Sequence, residues 1–170
     1  MVDQSKLLDV CTDSCVLINF AHVSRLDLLG QMSDLVFHVP EEVINEISEP
    51  TQAKKLEAAI KDGTLHALKI VDVEELRLMA EYAAMFGKGE SACLAVGVQR
   101  RWIIGTDETK DRRLSREIAA RGIKVINTPG ILLKSIRHGI LSVEAADLIK
   151  AELEAKKFKM SFNSFRELVE

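Results

Sequence analysis

Along most of the chain, short apolar runs alternate with segments of helical spacing. In the helical segments, apolar residues recur every three or four positions, as expected for helices packed on a sheet. This alternation favours parallel strands joined by helices. The expected strands are 7–12, 35–39, 65–71, 102–105 and 123–126. We therefore predict an α/β fold with three layers, α/β/α, around a central, mostly parallel sheet of about five strands.

Capping and helix-breaking residues give the expected helix boundaries. Pro40 suits a first helical turn, where its missing N–H would be unbonded anyway. Thr51 is predicted to cap helix 53–61. Gly87 and Gly89 are predicted to separate helix 73–86 from helix 90–98. The remaining predicted helices are 108–121, a helical stretch from Pro129 onward, and two terminal helices, 143–156 and 162–169, capped by Ser142 and Ser161.

The composition is that of a globular protein. The 170 residues are 47% hydrophobic and 29% charged with a net charge of −3, which excludes a disordered chain and a strongly basic coat protein. We expect residues 1–170 to form one domain, with 129–170 as a helical C-terminal portion packed on it. No signal-like start and no run near the roughly 20 apolar residues of a membrane span is present. We therefore expect a soluble, cytoplasmic protein without membrane contact.

The cysteines and histidines do not indicate a zinc site or a disulfide framework. Cys11, Cys15 and Cys93 are an odd number of thiols, and they lie in apolar segments where a small buried side chain packs well. The four histidines are dispersed singly along the chain, without the paired spacing of zinc ligands. Reduced, structural cysteines are expected.

Four carboxylates occupy positions where strands end or helices begin. Asp13 and Asp107 each follow a predicted strand, and in open α/β sheets ligands bind beyond the carboxyl ends of such strands. Glu46 lies on the helix opened by Pro40, beside its apolar face. Glu90 lies in the first turn of an otherwise uncharged helix. We expect these four side chains to meet.

Acids gathered in one place repel one another unless a cation neutralises them. Mg²⁺ and Mn²⁺ prefer oxygen ligands, so the four carboxylates predict a site for one or two such ions, weakened at low pH. Such ions support phosphodiester hydrolysis by an activated water. Asp111, placed one turn along the predicted helix, either joins this site or faces solvent beside Arg112 and Arg113. The alternative is that all these acids are helix caps and solvated turn residues.

Four motifs resemble those of PIN-domain nucleases and occur in the usual order. They are TDSCVLI at 12–18, VPEEVINEI at 39–47, GESA at 89–92 and GTD at 105–107. The C-terminal part, from GILL at 130–133 through Gly139 and Ile140, resembles a prokaryotic subgroup with a Gly-Glu-Ser element. The resemblance covers most of the chain. No single motif is specific, but four in sequence are.

The resemblance implies a PIN-like fold and magnesium or manganese bound by Asp13, Glu46, Glu90 and Asp107. It also implies supporting roles for Ser14 and Thr106, which adjoin the first and last of these acids. Glu108 departs from the subgroup, where a second aspartate is often found. Many relatives are ribonucleases, and several are toxins silenced by a small antitoxin. The resemblance thus implies an RNA substrate and an antitoxin partner.

A basic segment surrounds the last of these acids. Between Arg100 and Lys124, eight basic and four acidic residues give a local charge of +4, which suits phosphate contacts or, equally, a solvated helix face. The candidate RNA-binding residues are Lys88, Lys110, Arg112 and Arg113. Lys88 does not belong to a phosphate-binding loop, because Tyr82 replaces the first glycine of that motif.

The sequence thus predicts a metal-dependent endoribonuclease, with two alternatives. A haloacid-dehalogenase-like phosphatase also ends its first strand with an aspartate, but it needs a second aspartate where Cys15 stands. A non-catalytic RNA-binding or assembly module would keep the fold without the chemistry. Apolar residues of the terminal helices, such as Leu148 and Phe162, indicate either packing on the sheet or a homodimer contact.

Overall fold

Five parallel strands form the central sheet of this computed structural model, which describes residues 6–170. The strand order is β3-β2-β1-β4-β5. The strands are β1 Leu8–Thr12, β2 Leu35–Pro40, β3 His66–Leu68, β4 Ile103–Gly105 and β5 Val125–Ile126. In the central pairs Cys11 lies opposite both His38 and Ile104. The predicted three-layer α/β/α fold with a parallel sheet is confirmed.

Helices connect the strands and cover both faces of the sheet. They are α1 Ser14–His22, α2 Asp27–Gly30, α3 Glu41–Glu46, α4 Pro50–Lys61, α5 Val73–Tyr82, α6 Lys88–Arg100, α7 Arg112–Ala120, α8 Thr128–Arg137, α9 Val143–Ala155 and α10 Arg166–Val169. Right-handed crossovers place α1 to α4 on one face and α5 to α7 on the other, because the strand order reverses after β3. None of the helices within residues 6–170 has the length and apolar character of a bilayer span.

Helix α6 packs unusually close to the sheet because its inward residues are small. Ala92, Cys93 and Ala95 are buried, and a Cβ added to Gly97 would lie 2.9 Å from Cδ1 of Ile104 on β4. Such close approach is possible only where side-chain volume is missing. The small residues thus fix the position of α6, and with it the first turn that carries Glu90.

Several predicted boundaries were wrong, and some of them reflect local capping. The fourth helix is capped by Glu49, whose carboxylate accepts the N–H groups of Thr51 and Gln52 at 3.1 and 2.8 Å; Thr51 itself lies in the first turn. Gly89 is inside α6 rather than before it. Strand β3 spans three residues of the predicted seven. The last helix begins at Arg166, without a cap from Ser161.

Helix α7 also begins later than predicted. It starts at Arg112, and Asp111 is its N-cap, accepting the N–H of Arg113 at 2.9 Å and of Leu114 at 3.4 Å. Asp111 is therefore not one turn along a helix. Burial raises the pKa of Asp111, but the amide bonds from Arg113 and Leu114, together with the Arg113 side chain, outweigh that effect and hold the pKa below its usual value. The capping role accounts for an acid at this position.

The reversal of strand order creates a crevice beyond the carboxyl ends of β1 and β4. These strands are neighbours, yet their following connections run to opposite sides of the sheet, which is where ligands bind in open α/β folds. The N–H of Asp13 donates to the carbonyl oxygen of Gly105 at 2.8 Å. The segments that follow the two strands therefore start side by side.

A buried ion pair joins the two helices on the α6 face. The Glu75 side chain is fully buried on α5, and its two oxygens accept Nε and Nη2 of Arg100 on α6, both at 2.7 Å. The guanidinium also stacks on Trp102, 4.8 Å from the ring centroid. Removing one partner of such a pair is costly because the other charge stays buried.

We predict that Arg100→Met lowers the free energy of unfolding by about 3 kcal/mol, because the Glu75 carboxylate loses its partner. Urea denaturation measures the change. Arg77→Met is the matched control, since Arg77 pairs with Glu74 and Glu81 on the exposed surface, and we expect it to leave stability nearly unchanged. Equal losses in the two variants would contradict the importance of the buried pair.

Candidate active site

Asp13 closes β1 and opens α1. Its Oδ1 accepts the N–H of Ser14 at 2.8 Å, so the carboxylate caps the helix. The side chain is 6% exposed. A helix N-terminus stabilises a negative charge, which allows an aspartate to be ionised at a largely buried position. The strand end thus delivers a charged carboxylate to the crevice.

Glu46 reaches the same region from the opposite layer. It is the last residue of α3, and its Oε1 accepts the N–H of Gly89 at 2.7 Å in the first turn of α6. A Cβ added to Gly89 would lie 2.5 Å from Glu46 Oε2. The carboxylate therefore occupies the space that any other residue's side chain would fill. The absence of a Cβ at Gly89 gives Glu46 its place on the α6 N-terminus.

Glu90 follows Gly89 in the first turn of α6 and is half-buried. Glu90 and Asp13 line one small cavity together with Cys93 and Thr106. The two acids, carried by different elements, are therefore neighbours, although the cavity between them is lined mainly by apolar side chains such as Leu94 and Ile104. Three of the four acids predicted from the sequence, Asp13, Glu46 and Glu90, gather around the first turn of α6.

The charges of these acids act on one another. Burial raises the pKa of Asp13, the Ser14 N–H lowers it, and the charges of Glu46 and Glu108 raise it further. Burial likewise raises the pKa of Glu90, followed by the charges of Asp13, Glu108 and Asp111. Desolvation and repulsion both disfavour ionisation. The crevice therefore holds negative charge that is not fully compensated by the protein.

The Asp107 side chain lies in different surroundings. Its Oδ1 accepts the N–H of Thr128 at 2.7 Å, and its Oδ2 accepts Nδ2 of Asn19 at 2.9 Å and the hydroxyl of Thr128 at 2.5 Å. Burial raises its pKa, and the bonds from Thr128 and Asn19 lower it. The structure does not bring this carboxylate into the mutual repulsion of the other three. The neighbouring Glu108 takes part in that repulsion instead.

The predicted supporting residues adjoin these acids. Ser14 is the first residue of α1 and offers its backbone N–H to Asp13. Thr106 is buried, and its hydroxyl accepts the N–H of Glu108 at 3.1 Å. Thr106 thereby shapes the turn that carries Glu108.

Sequence reasoning missed three residues of this region. Cys15 accepts the N–H of Asp107 at 3.2 Å and lies 3.7 Å from Asp13 Oδ2; burial, followed by the charge of Asp13, raises its pKa to about 11. Asn19 and Thr128 bind the Asp107 carboxylate. A signal existed for Asn19, because it is a lone amide within an apolar helix, and such residues need a partner.

The four candidate RNA-binding residues are exposed. Along the chain they lie close to the acids of the crevice. Lys88 lies in the first turn of α6, Lys110 in the loop after β4, and Arg112 and Arg113 in the first turn of α7. Basic residues at a helix N-terminus oppose the helix dipole. Arg113 is partly compensated by Asp111, with 3.5 Å between Nε and Oδ1. The structure places these cations on the surface.

The donor set fits a hard divalent cation, although the side chains do not meet at one point. Among the described residues, no group of three or more His, Cys, Asp or Glu side chains is arranged closely enough to hold a metal ion. Mg²⁺ usually keeps several waters and takes one or two protein carboxylates directly. A set of oxygen donors made of the buried Asp13, the half-buried Glu90 and the exposed Glu46, with repulsion acting on the first two, is therefore compatible with Mg²⁺ or Mn²⁺. The predicted ligand set itself stays a prediction.

A family model described as a PIN domain matches residues 9–170. None of the curated proteins matches the sequence significantly. Among solved structures, the chain is similar to a chain of VapBC-1 from nontypeable Haemophilus influenzae, with a TM-score of 0.48 and 8% identity. That likeness covers 72% of this chain and 99% of the other.

A parallel α/β sheet with carboxylates at its topological switch point defines a class of α/β proteins that bind ligands at that edge. The family model matches nearly the whole of the described chain, and it narrows this broad class to one family. The chain belongs to the PIN-domain family, and the family resemblance predicted from the four motifs is confirmed.

We predict that Asp13→Asn and Glu90→Gln raise the melting temperature of the metal-free protein at neutral pH. Each removes a charge whose pKa is raised in the folded state, and asparagine caps a helix as well as aspartate does. A relief of about 1 kcal/mol corresponds to roughly 2–4 °C for a chain of this size. Calorimetry with a chelator present measures the shift.

The same variants should lose their advantage as the pH falls. An acid whose pKa is raised in the folded state takes up its proton at a higher pH when folded than when unfolded. Acidification therefore removes the unfavourable charge from the folded wild-type protein. The gain should therefore shrink below neutral pH, toward the ordinary pKa of each acid. A melting temperature lowered by either substitution at neutral pH would show that these charges do not oppose folding.

Proposed function

We propose that this protein is a magnesium- or manganese-dependent endoribonuclease that hydrolyses RNA phosphodiester bonds with an activated water. The observation that carries the proposal is the gathering of Asp13, Glu46 and Glu90 at the crevice beyond β1 and β4, with uncompensated negative charge. A divalent cation bound there would lower the pKa of an attacking water and stabilise the leaving oxygen. Family membership supports nuclease chemistry at this edge.

The chain's own residues would orient the reacting groups. Asp13 would hold a cation through Oδ2, which accepts only a weak bond from the Cys15 thiol at 3.7 Å among the described residues, since its Oδ1 is committed to the Ser14 N–H. Glu46 would offer Oε2, since its Oε1 is committed to the Gly89 N–H. These amide bonds fix each carboxylate before any ligand arrives, and preorganised ligands need no rearrangement on binding. Glu90 adds a third oxygen donor from the first turn of α6.

The basic residues would bind the RNA backbone. Lys88 adjoins the acids in the α6 turn, and Arg112 and Arg113 occupy the α7 N-terminus, where two positive charges oppose the helix dipole. A position unfavourable to stability is reasonable when function requires it. Phosphate contacts of this kind supply most nonspecific affinity for nucleic acids. Lys110 lies in the loop between the acids and these arginines.

The toxin-type role and the antitoxin partner rest on the resemblance, whereas the homodimer contact rests on exposed apolar surface. We propose a cytoplasmic, toxin-type ribonuclease that a small antitoxin restrains, with homodimer formation through the C-terminal helices. Leu148 on α9 is 68% exposed, which leaves apolar surface for such a contact.

We predict that Asp13→Asn reduces RNA cleavage at least about a hundredfold while the protein stays folded, because the substitution keeps the helix cap and removes the charge. The measurement is cleavage of single-stranded and structured RNA substrates with Mg²⁺ or Mn²⁺, and with a chelator. Lys69→Gln, at an exposed position on the loop after β3, is the control for a surface substitution. It should cleave RNA as the wild type does.

The same preparations distinguish the alternatives. A haloacid-dehalogenase-like phosphatase would release phosphate from p-nitrophenyl phosphate, whereas a non-catalytic module would bind RNA without cutting it. Cleavage that persists in the Asp13→Asn protein would identify a contaminating nuclease or a different site. Phosphate release without RNA cleavage, RNA binding without cleavage, and cleavage that persists in the Asp13→Asn protein would each refute the proposal.

We predict that Gly89→Ala lowers metal-dependent cleavage at least about tenfold with little effect on stability. The new Cβ would displace the Glu46 carboxylate, which is the end of a flexible side chain. The lost hydrogen bond is offset by the roughly 1 kcal/mol that alanine gains over glycine within a helix. Cleavage rate and melting temperature are measured together.

Gly87→Ala is the matched control for this substitution. A Cβ on Gly87 would lie 3.9 Å from Glu46 Oε1, an ordinary contact, and the backbone φ of −64° suits any residue. This variant should keep most of its activity. Equal losses of cleavage in the two variants would show that activity depends on the backbone flexibility of Gly87 and Gly89 rather than on the position of the Glu46 carboxylate.

A further inference from the structure

Two adjacent acids follow β4, and the structure gives them different tasks. The Asp107 carboxylate accepts three hydrogen bonds, from the Thr128 N–H, the Thr128 hydroxyl and Asn19 Nδ2. Thr128 is the first residue of α8 and is fully buried, and Asn19 on α1 is 8% exposed. The carboxylate therefore joins the N-terminus of α8 and the middle of α1 to the end of β4.

These bonds leave Asp107 poorly suited to hold a cation. Oδ2 already takes two donors, and turning Oδ1 away would leave the buried N–H of Thr128 without an acceptor. Buried amides without partners are strongly disfavoured. A cation would have to compete with three bonds that are present without it.

Glu108 is held differently. Its N–H donates to the Thr106 hydroxyl at 3.1 Å, and its Oε1 accepts the N–H groups of Lys110 at 2.6 Å and Asp111 at 3.1 Å. These hydrogen bonds set the conformation of the loop that follows β4, and they fix the position of Oε1 of Glu108. Oε2 accepts no hydrogen bond from any residue in the range 6–170. The side chain is half-buried, and its charge acts on both Asp13 and Glu90.

We propose that Glu108, rather than Asp107, supplies the fourth carboxylate of the metal site, and that Asp107 ties α1 and α8 to β4. This assignment rests on the metal-dependent function proposed above. It follows from the hydrogen bonds, since three strong donors bind the two oxygens of Asp107 whereas Oε2 of Glu108 accepts no bond from the described residues. The two roles divide a pair of neighbouring acids into one ligand and one structural tie.

The test compares Asp107→Asn with Glu108→Gln, which remove the same charge at adjacent positions. Isothermal titration with Mn²⁺ and thermal unfolding with a chelator are measured for each full-length protein. We expect Glu108→Gln to weaken Mn²⁺ binding about tenfold or more, with an unchanged or higher metal-free melting temperature. We expect Asp107→Asn to keep Mn²⁺ affinity within about threefold and to lower that temperature by roughly 2–6 °C.

The lower melting temperature follows from donor counting. An asparagine at this position would offer one acceptor oxygen to the three donors that now bind Asp107. If Asp107→Asn does not fold, Thr128→Val serves in its place, because it removes one donor from the tie and leaves all the acids intact. It should bind Mn²⁺ as the wild type does and unfold at a lower temperature.

Opposite results would overturn the assignment. If Asp107→Asn weakens Mn²⁺ binding as much as Glu108→Gln does, or if Glu108→Gln binds Mn²⁺ normally, Glu108 is not the distinguishing ligand. In either case wild-type binding and cleavage would leave the nuclease proposal standing. If the wild type itself binds no Mn²⁺ and cuts no RNA, the proposed function and this assignment both fail.

Discussion

Backbone amides at helix N-termini hold the acids on which this site depends. Asp13 binds the start of α1, Glu46 the start of α6 and Asp107 the start of α8. Each bond combines a charge-assisted hydrogen bond with the favourable end of a helix dipole. Without these bonds, the charges of the buried Asp13 and the half-buried Asp107 would be costly to keep, and the exposed Glu46 would be free to turn toward solvent. The helices thus fix charge at the crevice before any ligand binds.

Compensation by the protein is incomplete, and that imbalance connects stability to function. Burial and mutual repulsion raise the pKa values of Asp13 and Glu90 despite the amide bonds. A site that costs folding energy in the free protein favours a ligand that removes the cost. Other parts of the fold supply that energy, including the close packing of α6 on β4 and the buried Glu75–Arg100 pair.

Local patterns were sufficient to predict the architecture, and they were weaker for boundaries. Alternating strand and helix periodicity gave five parallel strands, because the periods differ and each is repeated several times. Caps were mistaken where several candidates stood together. Glu49 rather than Thr51 caps α4, and Asp111 caps α7 instead of lying within it. A cap is chosen by backbone geometry that the order of residues does not specify.

The sequence by itself determined which acids follow strand ends and helix starts, since those positions depend on local periodicity and on the order of strands. Only the tertiary structure decided which way each carboxylate turns. Asp107 and Glu108 are adjacent acids in the chain, yet Asn19 and Thr128, both far away in sequence, bind the first, whereas the charge of the second raises the pKa values of Asp13 and Glu90. Hydrogen-bond partners brought together by folding set these directions, and they carry no local sequence signal.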